Sequence, residues 1–247
     1  MVQFIETVDT IDVDTLPDSD GLPVDNELHI LLPNFLRSIL SFIWCERLDW
    51  FMGVNMGIYH TTGERLRIPV VPDAFIALGV DRINDNKLRK SYITWKEKDI
   101  PPIFALEIVS QTPGDEYEEK MEIYRKLGVL YYVIYNPDYW LRDQHEPLEI
   151  YRLEDDVYQR QWGEPYWMPE LGIAIGRGRG INDRINREWL YWFDGNGNRY
   201  ESPEEKAQNL QNEKQELFDQ NQFLIERNQI LEEKLRQLNI DPDNLPQ

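Results

Sequence analysis

The sequence is poor in several residue types, and each shortage excludes something. One cysteine, Cys45, stands among 247 residues. No internal disulfide framework and no cysteine-rich zinc site can form, and the chain suits a reducing compartment. The three histidines, His29, His60 and His145, are scattered without metal-ligand spacing. No motif for a catalytic triad accompanies them. Basic residues are also scarce, with 26 Lys and Arg against 45 Asp and Glu, for a net charge of −19. That excludes a protein that coats nucleic acid over its whole surface. The amino end has neither the basic start nor the apolar stretch of a signal peptide. The most apolar segment, 28–45, is interrupted by Pro33, Asn34 and Arg37, so it reads as a buried helix rather than a membrane span. The expectation is a soluble, cytoplasmic protein with no membrane partner.

What is present can build a core. Hydrophobic residues make up 41% of the chain and aromatics 12%, with eight Trp and thirteen Tyr. Wholesale disorder is excluded. The negative charge is concentrated at the ends. Residues 1–30 hold eight acids and no base, and residues 201–247 hold eleven acids and five bases. The remaining 31–200 carry only −5. Local basic patches are therefore allowed in the body, and Arg177, Arg179, Arg184 and Arg187 form one candidate.

Four segments follow: an acidic arm at 1–24, a folded domain at 25–200, a leucine-heptad helix at 201–240 and a short tail at 241–247. The arm shows Pro17, Gly21 and Pro23 and little apolar periodicity. Residues 26–48 have apolar side chains at helical spacing, with a break expected near Pro33. Met52–Tyr59 and Ile68–Leu78 read as strands. Ile103–Val109 is a near-continuous apolar run, as expected for a central strand covered on both faces. Residues 115–127 read as a helix ended by Gly128. Val129–Tyr135 reads as another buried strand, stopped by Asn136-Pro137-Asp138. Strand, helix and strand then form a βαβ unit with a parallel pair. Short strands fill 146–175, and Trp189–Tyr200 resembles a hairpin around Gly195-Asn196-Gly197-Asn198. The fold class is α/β, with a mixed central sheet flanked by helices and a carboxy-terminal coiled-coil helix.

In the tail, Leu210, Leu217, Leu224, Leu231 and Leu238 recur every seven residues. With these at d, Asn221 and Asn228 fall at a. Buried Asn at a sets register and favours two strands, because each pairs with its twin. A parallel homodimer is expected. The alternative is a single helix packed back on the body, which Phe218 and Ile225 could support.

The chemistry-bearing residues are Asp73 after Pro72, Glu107 inside the apolar strand, and Lys120 on the following helix. Pro-Asp often marks only a turn. Lys120 alone could be a solvated helix face. Glu107 is more telling, because an unpaired buried carboxylate costs several kcal/mol. It must be paired, metal-bound or at a cleft. Two carboxylates from neighbouring strands can converge on Mg²⁺, which binds through one or two carboxylates and keeps its waters. Gly176-Arg177-Gly178-Arg179-Gly180 reads as a flexible basic loop, where Arg177 and Arg179 could touch phosphates or simply turn the chain. Trp162, Trp167, Trp189 and Trp192 are expected to pack rather than to stack on bases.

Pro72-Asp73, Leu106-Glu107-Ile108-Val109-Ser110-Gln111-Thr112, Asp115, Lys120, Tyr124, Gly128-Val129, Tyr132 and Asn136-Pro137 occur in that order. This pattern resembles the Uma-type endonucleases of the PD-(D/E)xK, restriction-endonuclease-like superfamily, over roughly residues 25–175. The resemblance implies a four-stranded mixed sheet core, DNA as substrate, and Mg²⁺ (or Mn²⁺) held by Asp73 and Glu107. The superfamily Lys, two residues after the Glu, is Val109 here. The resemblance shifts that role to Lys120, and it suggests Glu27 as an additional acid from the first helix. The rival reading is a catalytically inactive nuclease fold acting as a dimeric binding or scaffold module.

Overall fold

The computed structural model describes residues 11–12, 16, 26–62, 68–83, 87–111 and 115–241. The chain divides into two compact units, Met1–Tyr200 and Glu201–Gln247. In the first unit, α1 (Glu27–Ile43) leads into β1 (Trp50–Val54), β2 (Ile58–Tyr59), β3 (Ala74–Leu78), β4 (Tyr92–Ile93) and β5 (Phe104–Ile108). Then come α2 (Glu119–Leu127), β6 (Tyr131–Tyr135), α3 (Trp140–Asp143), β7 (Leu148–Glu154) and β8 (Val157–Gln161). A second sheet is built from β9 (Tyr166–Met168), β10 (Ile173–Asn182) and β11 (Ile185–Phe193).

The central sheet has six strands in the order β1-β3-β5-β6-β7-β8, two more than expected. The pair β5–β6 is parallel, and the other pairings are antiparallel. A parallel neighbour requires a crossover, and α2 supplies it. Gly128 at φ 83° closes α2 in the left-handed conformation that L side chains rarely adopt. Phe104, Leu106 and Ile108 point to one face of the sheet, toward α1 and the second sheet. Ala105 and Val109 point to the other, toward Tyr124 and Leu127 of α2. The period of two explains why β5 reads as continuous apolar: both of its faces are covered.

Helix α1 starts where the Asn26 side chain accepts the Leu28 N–H at 2.9 Å. Its buried stripe is Leu28, Leu32, Phe35, Leu36, Ile39 and Leu40. Each such side chain contributes roughly 1.5–3 kcal/mol when fully buried. The break expected at Pro33 does not occur; the helix runs through it. Proline lacks the N–H that would bond the carbonyl four residues earlier. That carbonyl belongs to His29, and it accepts instead from Asn55 Nδ2 at 3.1 Å. Asn55 sits at φ 46°, which asparagine tolerates better than most residues. Its own N–H donates to the Asp73 carbonyl at 3.0 Å. One asparagine thus links α1, the end of β1 and the start of β3.

The stretch Gly176–Gly180 is not a loop. It lies inside β10, paired with β11 across a two-residue turn at Asp183-Arg184. Both turn residues have positive φ, as a type I′ hairpin requires. The glycines share one strand face. A Cβ at Gly178 would stand 3.0 Å from the Tyr191 ring, and one at Gly180 would run into the Tyr191 hydroxyl. The expected hairpin at 195–198 is only a tight turn. Asp194 Oδ1 accepts the N–H groups of Asn196 and Asn198, and one bridge joins Phe193 to Arg199. Trp189 and Trp192 are core residues as expected, whereas Trp162 is 74% exposed.

The acidic arm lies mostly outside the described residues; Ile11 and Leu16 are buried against Tyr59. In the second unit, α4 (Pro203–Gln237) opens with a reciprocal cap. Ser202 Oγ accepts the Glu205 N–H, and Glu205 Oε2 accepts the Ser202 N–H. The heptad leucines of α4 and its cap residue Leu238 are 48–69% exposed. Among the described residues, no helix is long and apolar enough to cross a membrane.

Asn55→Gly keeps the backbone conformation and deletes only the side-chain bond. It should lower unfolding free energy by roughly 1–3 kcal/mol, the cost of leaving the His29 carbonyl without its donor. Urea denaturation checks this, and a midpoint equal to the parent's would show that the link is not stabilising.

Candidate active site

The site forms where the ladder between β3 and β5 ends. That ladder pairs Ala74 with Leu106, Phe75 with Ala105 and Ile76 with Phe104. One residue further on, the Asp73 carboxylate takes over from the backbone. Its Oδ2 accepts the Ile108 N–H at 2.7 Å. Its Oδ1 meets His29 Nδ1 at 2.8 Å. Both partners are buried.

Glu107 shares the β5 face that looks toward α2. Lys120 and Tyr124 are four residues apart, so they lie on one side of α2. Both reach Glu107. Lys120 Nζ donates to Oε2 at 2.9 Å, and the Tyr124 hydroxyl donates to Oε1 at 2.6 Å. Glu107 is 2% exposed. Burial raises its pKa to about 7, the attraction of Lys120 opposes this, and the nearby Asp73 charge adds to the rise. Burial alone would lower the Lys120 pKa, but Glu107 outweighs it and the pKa is raised. The two shifts are compatible, because the Lys120 side chain keeps 30% of its surface exposed and remains charged. Tyr124 is held well above its usual value, first by burial and then by Glu107, so it stays a donor.

Asp73, Glu107 and Lys120 therefore come together at one end of the central sheet. Val109, where the superfamily places its Lys, is buried in the apolar cluster beside α2. Glu27 is exposed in the first turn of α1. The α1 side chain that meets Asp73 is His29, two residues later. His29 is a candidate functional residue that the sequence signals only by its position on the buried face of a helix that enters the site. Arg177 is ion-paired rather than free for a phosphate contact. It is bound by both oxygens of Glu164 at 3.0 Å and by Glu188 at 3.5 Å. Arg179 is exposed, and its Nε donates to Asn186 Oδ1 at 3.4 Å.

Against this geometry, comparisons with known proteins bear on the family. A family model described as "Uma2: Putative restriction endonuclease" matches residues 22–177. The chain belongs to the Uma2 family. A crystal structure from Anabaena variabilis, described as a putative nuclease belonging to DUF820, is 15% identical with a TM-score of 0.43. That match covers 60% of this chain and 76% of the other. No curated protein matches the chain.

The donor set of this Uma2 chain suits a hard cation. Among the described residues, no cluster of three or more His, Cys, Asp or Glu side chains is arranged for a metal. Two carboxylates with unused lone pairs remain, and Mg²⁺ commonly binds through one or two carboxylates with water completing the shell. Asp73 and Glu107 fit that requirement, with Lys120 alongside.

The raised Glu107 pKa has a consequence for stability. Between about pH 4.5 and 7 the folded state holds a proton that the unfolded state has lost. Stability of the metal-free protein should therefore fall as pH rises through that window, by about 1.4 kcal/mol per unit at most, and level off above it. Glu107→Gln should flatten this slope, as read from denaturation midpoints across pH. An unchanged slope would mean that Glu107 ionises normally.

Proposed function

We propose that the chain is a Mg²⁺-dependent endonuclease that hydrolyses phosphodiester bonds of DNA, with Mn²⁺ as an alternative metal. The observation that carries this reading is the meeting of Asp73, Glu107 and Lys120 at one end of the sheet. Asp73 and Glu107 would hold the metal. When bound, the cation supplies a Lewis acid that activates water and neutralises charge developing on phosphate. The chain's own groups prepare the site for it. Tyr124 fixes one oxygen of Glu107 and leaves the other facing Lys120. His29 and the Ile108 N–H fix both oxygens of Asp73. Lys120 brings a positive charge to a site that would otherwise repel phosphate, and it can stabilise the transition state's added charge.

Family membership supports nuclease chemistry, and the hard-oxygen donor set supports a divalent cation. We also propose that α4 pairs with a second copy in a parallel coiled coil through Leu210, Leu217, Leu224, Leu231 and Leu238. Asn221 and Asn228 would meet their twins across the seam. A dimer would bring two single-cut sites to one duplex.

With Mg²⁺, the protein should nick plasmid DNA, and Asp73→Asn and Lys120→Met should each slow cleavage by roughly 100-fold or more. Equal nicking by Asp73→Asn would indicate a contaminant and sink the assignment. Calorimetry separates the scaffold reading: no Mg²⁺ or Mn²⁺ binding, and no change in Glu107→Ala, would favour it. Sedimentation should report twice the chain mass, reduced to one chain by Leu217→Asp with Leu224→Asp. A monomer at high concentration would remove the coiled coil.

A further inference from the structure

The long hairpin of β10 and β11 has a fixed direction relative to the site. At its inner end, Trp192 packs on Phe104, the first residue of β5, with ring centroids 5.7 Å apart. Further along, the Tyr135 hydroxyl donates to the Glu188 carbonyl at 3.4 Å, and Arg187 meets Asp138 at 3.6 Å. Tyr135 ends β6 and is the register partner of Ile108. The hairpin therefore runs from the start of β5 toward the end that carries Glu107 and Asp73, on the opposite face of the sheet from α2.

It also continues past that end. Four residues separate Glu188 from Arg184 at the turn, so the tip stands roughly 14 Å beyond the Tyr135 contact at strand rise. The alternation Gly-Arg-Gly-Arg-Gly shapes this arm. The glycine face is filled by Pro165 at Gly176 and by Tyr191 at Gly178 and Gly180, and Arg199 covers Tyr191 at 4.2 Å. The arginines are thereby sent to the other face. Arg177 is neutralised by Glu164 and Glu188 at the root. Arg187 is tied to Asp138. Arg179 and Arg184 are exposed toward the tip, beside Ile181, which is 48% exposed. A two-stranded ribbon with four arginines against Asp183 and Glu188, net +2, projects from an acidic chain, at the end of the sheet where phosphate chemistry is proposed.

We infer that the β10–β11 hairpin is a duplex-DNA contact arm, with Arg179 and Arg184 on backbone phosphates flanking the site. A two-stranded ribbon fits the B-form major groove, about 12 Å wide, whereas the deep and narrow major groove of A-form RNA does not admit it. The inference rests on the nuclease reading for its choice of partner, and it is tested by binding rather than cleavage.

The experiment measures anisotropy of a labelled DNA duplex with the full chain in Ca²⁺, over a potassium chloride series. Arg179→Ala with Arg184→Ala should weaken binding roughly tenfold, equally for unrelated sequences, and lower the salt slope by about two. Lys96→Ala with Lys126→Ala removes the same charge from exposed positions outside the hairpin and should change neither value. Circular dichroism should be unchanged, since all four side chains lie at the surface. Three results would overturn the arm: parental affinity in the arginine variant, an equal loss in the lysine control, or tighter binding of duplex RNA than of DNA. A wild-type chain that binds no DNA would overturn it as well. The nuclease reading fails separately. If Arg179 and Arg184 govern binding while no metal supports cleavage, the arm stands and the catalytic assignment falls. Metal-dependent cleavage with unchanged binding by the arginine variant has the opposite meaning.

Discussion

A carboxylate buried in the middle strand of the sheet governs this structure. Glu107 sits where an apolar side chain would be cheaper, because an ionised group deep in protein loses most of its hydration. The surroundings compensate for that loss with one ammonium and one hydroxyl, both from the same helix. Those partners dictate the rest. Helix α2 must cross over between β5 and β6, must present Lys120 and Tyr124 on one side, and must end at Gly128 so that β6 can begin in register. The parallel pair in an otherwise antiparallel sheet follows from placing that helix. Compensation is incomplete, since the carboxyl remains harder to ionise than usual. A divalent cation, proposed for this site, would favour the ionised form.

The second carboxylate is held on a different principle. Asp73 stands where two antiparallel strands stop pairing, and its side chain completes the hydrogen bonding that the backbone no longer provides. A sheet end of this kind leaves N–H groups that need acceptors. Asp73 meets that need and faces the site at the same time. Behind it, Pro33 frees the His29 carbonyl, Asn55 captures it, and the His29 ring comes to lie against Asp73. A missing N–H in a helix thus helps to determine which side chain completes the centre. The net charge of −19 also acquires a local meaning. The body of the domain is only mildly acidic, and four of its arginines lie on the β10–β11 hairpin, two of them, Arg179 and Arg184, exposed toward its tip.

Much of the fold was legible in the chain. The apolar run at 103–109, the helix ended by Gly128, the run at 129–135 and the leucine repeat each carry a strong local signal, and each marks an observed element. Glu107 could be singled out because a charge inside a buried strand has few explanations. Arg177 and the 195–198 turn misled, because Gly and Asn are turn-formers by habit. Gly178 and Gly180 are instead small for the sake of Tyr191, eleven or more residues away in the chain, and Gly176 for the close approach of Pro165. The actual hairpin turn, Asp183-Arg184, has no glycine to advertise it.

By itself, the sequence determined most of the elements, the buried carboxylate, the charge distribution and the leucine repeat, because these depend on near neighbours and on period. Tertiary structure decided the company that each group keeps. It replaced Glu27 with His29, brought Lys120 rather than residue 109 to the carboxylate, paired Arg177 with Glu164, and pointed the hairpin past the site end. Those outcomes depend on which strand ends adjoin and on which carbonyl lacks a donor. They are set by packing between residues tens of positions apart, where no local pattern in the chain can register them.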